Sequence, residues 1–134
     1  MVCIYCSGKT QVTNSRPQKR LLQVWRRRHC TVCGAIFTTN EAVDLSTSLA
    51  VRQQNGPTSP FSRDKLLVSI LRAVGHRERP IEDAGALTAT ITAKLLYQTA
   101  TAAVSPADIT KTALETLRRF DNAAAVQYQA YHKG

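Results

Sequence analysis

The chain has no run of about 18 consecutive apolar residues, so nothing in it reads as a membrane span. Its first residues, MVCIYC, lack the basic start and long apolar stretch of a secretory signal, which predicts a cytoplasmic protein under reducing conditions. Aromatic residues are scarce at 6%, with a single Trp, and there is no internal repeat or low-complexity tract. Acidic residues are missing altogether from positions 1–40, where Lys9, Arg16, Lys19, Arg20, Arg26, Arg27 and Arg28 stand without an acidic partner nearby. Residues 41–134 hold the other eleven bases and all nine acids. A strongly basic end joined to a nearly neutral remainder predicts a polyanion-facing module attached to one with another task. No nucleophile–base pair is legible, so no catalysis is predicted.

What is present begins with four cysteines in two C-x2-C pairs, Cys3/Cys6 and Cys30/Cys33, 23 residues apart. Two such pairs supply four thiolates to one tetrahedral Zn2+, each pair on a tight turn that aims both sulfurs at one point. The gap slightly exceeds the usual zinc-ribbon range, but a two-hairpin insert accommodates it. The alternative is two disulfides or four buried thiols, which a reducing compartment disfavours. About 40 residues bury too little apolar surface to fold unaided, and metal binding worth roughly 10–16 kcal/mol would make up the deficit. Four thiolates leave no open coordination position, so such a zinc is structural. His29, beside Cys30, is read as flanking the site or meeting a phosphate; His76 and His132 carry no partner signal.

The first forty residues lack a helical stripe and read as short β-hairpins around QVTNSR, LLQVWRR and AIFTT, followed by a connector over 41–48. Leu49 and Val51 then alternate into Asn55-Gly56, a hairpin-turn signal, with Pro57 and Pro60 shortening the return strand. From Ser62 the pattern turns helical, with Leu66, Leu67, Ile70, Leu71 and Val74 on one face. A second helix is predicted over Pro80 to Gln98 with Ile81, Ala84, Leu87, Ile91 and Leu95 inward. A third starts at Ser105-Pro106, with Ile109, Ala113, Leu117 and Phe120 inward. A last helix from about Asn122 would present Val126, Tyr128 and Tyr131.

On a strand, Arg26 and Arg28 point one way and Arg27 the other. The bland reading of the run is a solvated face. The unopposed charge, the further bases at Arg16, Lys19 and Arg20, and a zinc-fixed strand favour a contact with a nucleic-acid backbone instead. Trp25 either meets a base or a groove, or packs on its own module.

Taken in order, the leading C-x2-C, NSR, RRRHCTVCG, FTTNE and FSRDKLLVSILRA resemble the bacterial ribonucleotide reductase regulators of the NrdR family, over about residues 1–132. The resemblance implies an α+β fold: a small N-terminal zinc ribbon of short β-hairpins that binds DNA (1–40), a linker (41–48) and a mainly helical ATP-cone opening on a β-hairpin (49–134). The cone would sense nucleotide and drive oligomerisation. It implies a repressor, not an enzyme, that binds double-stranded promoter DNA as a homo-oligomer without a membrane and is regulated by ATP and dATP. Cys3, Cys6, Cys30 and Cys33 match the zinc ligands. Arg26, Arg27 and Arg28 match the DNA-binding basic run, whose first arginine is Trp25 here. Arg16 matches the arginine of the family's Asp-Ser-Arg, with Asn14 in place of the aspartate. The nucleotide-binding opening, Val-x-Lys-Arg-Asp-Gly, reads Val51, Arg52, Gln53, Gln54, Asn55 and Gly56, so two glutamines replace the phosphate-facing pair. Lys65 matches, Arg72 is a further base nearby, and Ala125 and Gln127 stand where the family tends to carry Tyr and Arg. Loss of the phosphate-facing charges leaves a second reading: a zinc-ribbon adaptor whose degenerate cone oligomerises without sensing nucleotide.

Overall fold

A computed structural model of the chain describes residues 1–132; the last two positions of the expected cone, 133–134, lie outside the described residues. The chain divides into two compact units, Met1–Val43 and Asp44–Gly134.

The first unit is a three-stranded antiparallel sheet in the order β1-β2-β3, made of Thr10–Gln18, Gln23–Cys30 and Ile36–Ala42. Leu21 and Leu22, expected to open the second strand, instead form the turn before it: a 3-10 turn spans Lys19–Leu21 and Leu22 takes a left-handed conformation, φ 53°. A bulge between Val12 and Asn14 leaves Thr13 unpaired and resets which β1 residues face which side. The buried cluster of this unit is Cys3, Cys30 and Phe37, with Ala35 packed beside it. So small a core cannot hold a sheet by burial alone.

The second unit joins a small sheet, β5-β4-β6, to a helical layer. The hairpin pairs β4 (Ala50–Arg52) with β5 (Thr58–Pro60). Its connection is five residues long, and Gly56 is not left-handed, so Asn55-Gly56 does not form the two-residue turn its sequence suggests. Two elements carry no signal in the sequence pattern: β6 (Ala103–Val104), which pairs parallel to β4, and α1 (Leu45–Ser48). Residues 41–48, expected as a linker, therefore carry the end of β3 and a helical turn capped by Asp44.

Four longer helices follow, α2 (Arg63–Ala73), α3 (Pro80–Gln98), α4 (Pro106–Phe120) and α5 (Asn122–Tyr131). Their starts follow from side-chain chemistry. The Ser62 hydroxyl accepts from the Lys65 amide, and Ser105 and Asp108 form a reciprocal capping box around Pro106. Helix α2 packs on α3 and α5, and α4 packs on the same two. They enclose Leu66, Ile70, Val74, Leu87, Ile91, Leu95, Leu117 and Tyr128, which with Leu49, Phe61 and Val104 from the sheet form a continuous core. The expected stripes fail at helix ends, where Ile81 is 72% exposed, Phe120 40% and Tyr131 61%, and in the middle of α5, where Val126 is 62% exposed. The inward face of α5 is Ala124, Ala125 and Tyr128 instead.

Two histidines read as partnerless have partners. His132 stacks on Tyr128 at 4.0 Å, and His76 Nε2 lies 2.9 Å from Asp121 Oδ2. Asp121 also accepts from Arg77 Nη1 at 2.9 Å and caps α5 through the Ala123 and Ala124 amides. The His76 contact and then the Arg77 guanidinium bring its carboxyl down to about 2. A carboxyl depressed from its ordinary value near 3.9 stabilises the fold above about pH 4 and loses that contribution as pH falls through about 2. Asp121→Asn is expected to lower the thermal midpoint at neutral pH, with the gap from the parent protein closing between pH 4 and 2. Circular-dichroism melts across that range check it, and a gap independent of pH would contradict the assignment.

Candidate zinc centre, basic sheet face and nucleotide cavities

The two cysteine pairs sit on matching turns. In each, backbone amides point at the first sulfur: Tyr5 N–H to Cys3 Sγ, and Val32 and Cys33 N–H to Cys30 Sγ, all at 3.4 Å. The residue after the second cysteine is left-handed in both, Ser7 at φ 63° and Gly34 at φ 78°. The turns also approach closely, for a Cβ on Gly8 would lie 2.7 Å from a Val32 methyl. Only glycine fits there.

All four sulfurs fall within 4.8 Å of one another, with Cys3–Cys33 at 3.7 Å and Cys6–Cys30 at 3.5 Å. Tetrahedral zinc–thiolate bonds of about 2.3 Å require sulfur separations of about 3.8 Å, whereas a disulfide requires about 2.05 Å. The cluster fits zinc and not disulfides. Its electrostatics agree. The Cys33 and Val32 amides and the neighbouring thiols lower Cys30 to about 6. The Ala35 amide pulls Cys33 down, but Cys6, burial, Cys30 and Cys3 together push it up to about 12. Four adjacent sulfurs cannot all ionise without a cation between them, and a divalent ion removes that conflict. The chain therefore holds one structural zinc through Cys3, Cys6, Cys30 and Cys33. His29 pairs with Ile36 and lies on the face of β2 away from Cys30, outside the cluster.

The register of the sheet separates the arginines. Cross-strand partners share a face and neighbours along a strand alternate. One face carries Val24, Arg26, Arg28 and Cys30 of β2, with Phe37, Thr39 and Glu41 of β3. The expectation that no acid stands near these arginines fails here: Arg26 Nη1 lies 2.9 Å from Glu41 Oε2. Glu41 is one residue past the acid-free stretch, and antiparallel pairing carries it back diagonally beside Arg26. Arg28 Nε donates to Thr39 Oγ1 at 3.1 Å.

The opposite face carries Trp25, Arg27 and His29, with Arg16 and Asn14 of β1 and Asn40, Thr38 and Ile36 of β3. Arg27 is exposed and has no side-chain partner among the described residues. The Arg16 guanidinium lies 5.8 Å from the Trp25 ring centre, a cation–π distance.

In the second unit, a cavity of about 690 Å3 is lined by Arg52, Gln53 and Gln54 of the hairpin, with Thr101, Ser105, Asp108 and Thr110 among the facing residues. A second, of about 310 Å3, is lined by Val51, Gln53, Lys65, Thr110, Tyr128 and His132 among others. Asn55, Gly56 and Arg72 line neither. Of the cavity-lining residues not singled out in the sequence as a site, Ser105 was legible only as a cap, and Thr101, Asp108 and Thr110 carried no signal at all. The capping box works against phosphate. Hydrogen bonds from Ser105 lower the Asp108 carboxyl, so it stays ionised at the cavity wall. The Asp108 amide is spent on Ser105, and Pro106 has no N–H to offer.

Comparison with known proteins bears on both units. Residues 1–41 match a family described as "Transcriptional repressor NrdR-like, N-terminal domain". Over 133 residues, 99% of this chain and 87% of the relative, the sequence is 34% identical to a protein of Symbiobacterium thermophilum named "Transcriptional repressor NrdR". Proteins of the same name from Methylobacterium sp. and Sphingopyxis alaskensis are 38% and 32% identical over 99% of this chain, which spans 71% and 85% of their lengths.

Proposed function

The chain belongs to the NrdR family of transcriptional repressors, and from that premise we propose that it is a zinc-dependent DNA-binding repressor, of ribonucleotide reductase genes in the cytoplasm. The observation that carries this reading is likeness to the family over 99% of the chain, joined to a four-sulfur zinc centre beneath an open basic sheet. Like its relatives it is a regulator and not an enzyme. Residues 1–40 are the DNA-binding part and residues 49–134 the nucleotide-sensing and oligomerising cone.

Among the four arginines, Arg16 and Arg27 lie on the face with free guanidinium charge and are the phosphate contacts of this reading. Arg26 and Arg28 lie on the opposite face, where Arg26 pairs with Glu41 and Arg28 donates once to Thr39. Zinc supplies the fixed frame when bound; the chain's own arginines meet the DNA. Nucleotide in the cone would alter how chains associate, and thereby the separation of paired ribbons. Half-site spacing is a geometric constraint, so such a change switches affinity without altering a base contact. Gel shifts on duplex DNA from upstream of reductase genes in the same genome test the function. Salt-sensitive binding that requires zinc is the expected result, and no binding at low salt would overturn it.

The cavities favour keeping the second reading, a zinc-ribbon adaptor whose cone assembles without sensing nucleotide. The larger cavity has one cation, Arg52, against the ionised Asp108, and glutamines hydrogen-bond phosphate without neutralising it. Calorimetry with ATP and dATP on zinc-loaded protein is expected to show weak binding. The double change Gln53→Lys, Gln54→Arg should tighten it at least tenfold by restoring charge at the cavity wall. No heat from either protein would leave the adaptor as the answer.

A further inference from the structure

A large aromatic side chain in a small module normally belongs to its core, and Trp25 does not. The buried cluster of the first unit is Cys3, Cys30 and Phe37, reached from the face of β2 that carries Cys30. Trp25 stands on the other face, at the middle of the three strands, between Arg16 on β1 and Asn40 on β3. Among the described residues of this unit no helix of more than one turn exists to cover it. Trp25 is half-buried, neither part of the core nor fully exposed, and the Arg16 guanidinium at 5.8 Å shares in its cover. Two further residues on that face point the same way chemically. Ile36 is 55% exposed without contributing to the core, and Arg27 follows Trp25 at the next in-face position of β2. On this face Trp25 is thus flanked by Arg16 on β1, Asn40 on β3 and Arg27 along its own strand, with Asn14 opposite Arg27 and the exposed Ile36 at the next in-face position beyond the Arg27–Thr38 pair.

Duplex DNA presents a matching pattern. Phosphates flank a groove whose floor is polar except at the C5-methyl of thymine, and apolar side chains read that methyl. We propose that Trp25 is a base-reading residue of the ribbon, making apolar contact with a thymine methyl while Arg16 and Arg27 hold the flanking phosphates. Arg16 approaches the indole as well as the backbone, so Trp25 also orients one of its own anchors. This inference rests on the repressor reading, because it requires that the ribbon dock on duplex DNA.

The test uses full-length zinc-loaded protein and the duplex it enriches from a randomised pool. Trp25 is the only Trp of the chain, so intrinsic fluorescence reports on that one side chain. Its emission is expected to change on binding. Replacing thymine by uracil, position by position, removes only the methyl, and one or two positions should weaken binding roughly fourfold each. Trp25→Ala should keep its zinc, weaken duplex binding overall and abolish the thymine–uracil difference, and Trp25→Phe should retain part of that difference. Equal binding of thymine and uracil duplexes at every position overturns the proposal, as does unchanged emission at saturation. Tighter binding to the single strand with the same emission change also overturns it, since the ring would then be stacking on an unpaired base. Failure of the parent protein to enrich any duplex would count against the repressor reading itself.

Discussion

Replacing Cys30 with serine, or stripping zinc with a chelator, is expected to unfold residues 1–43 and abolish DNA binding while most helical circular dichroism survives. The asymmetry comes from where the cores lie. The first unit buries Cys3, Cys30 and Phe37 and little else, and two of those three are zinc ligands. Its β1 strand is exposed along almost its whole length. Metal binding worth roughly 10–16 kcal/mol is therefore most of what opposes the chain entropy of this unit. The second unit needs none of it: α2 to α5 enclose their own continuous core from Leu49 to Tyr128. Limited proteolysis of the chelated protein should cut within residues 1–43 and spare the remainder. Loss of all helical signal together with the sheet would show instead that the two units fold as one.

How much of this was legible in the sequence depends on whether the signal was local. Helix starts were, because Ser62 and Ser105 cap amides within one turn of themselves and Pro80 and Pro106 suit the first helical position, although the cap of α5 is Asp121, one residue before Asn122. The zinc centre was legible because a C-x2-C pair states its own geometry. Pairing across the chain was not. Strand β6 has two residues, and nothing near Ala103 announces a parallel partner at Ala50. The Arg26–Glu41 pair hid in the same way, as did the bulge at Thr13 that puts Asn14 beside Arg27. The helix stripes failed at Ile81, Phe120 and Tyr131, at or next to helix ends, and at Val126, in the middle of α5 but off its buried face of Ala124, Ala125 and Tyr128; periodicity records which face a residue occupies and not whether anything lies opposite it. Phe120 has a partner of another kind, the Arg77 guanidinium 4.3 Å from its ring centre.

The separation of the arginines by register predicts that a basic run of three will not behave as three equal charges. Alanine at Arg27 or at Arg16 is expected to weaken duplex binding and to flatten the log–log salt dependence by about 0.9 each, the value for one phosphate that the protein no longer neutralises. Alanine at Arg26 or Arg28 should leave that slope in place. Arg26 is held at 2.9 Å by Glu41 and Arg28 at 3.1 Å by Thr39, both on the face of β2 opposite to Arg27. The pair with Glu41 is surface-exposed, worth about 0–1 kcal/mol, so Arg26→Ala costs little in the fold and any loss of DNA binding would be direct. Glu41→Gln adds a control with a distinct outcome. If Arg26 were a DNA contact merely parked on Glu41, freeing it would tighten binding and steepen the slope. If it braces the sheet, the change should leave the slope alone. Fluorescence anisotropy on one duplex over a series of salt concentrations resolves all five variants. A slope lowered by Arg26→Ala or Arg28→Ala but not by Arg27→Ala would place the DNA on the zinc-core face of the sheet and reverse the assignment.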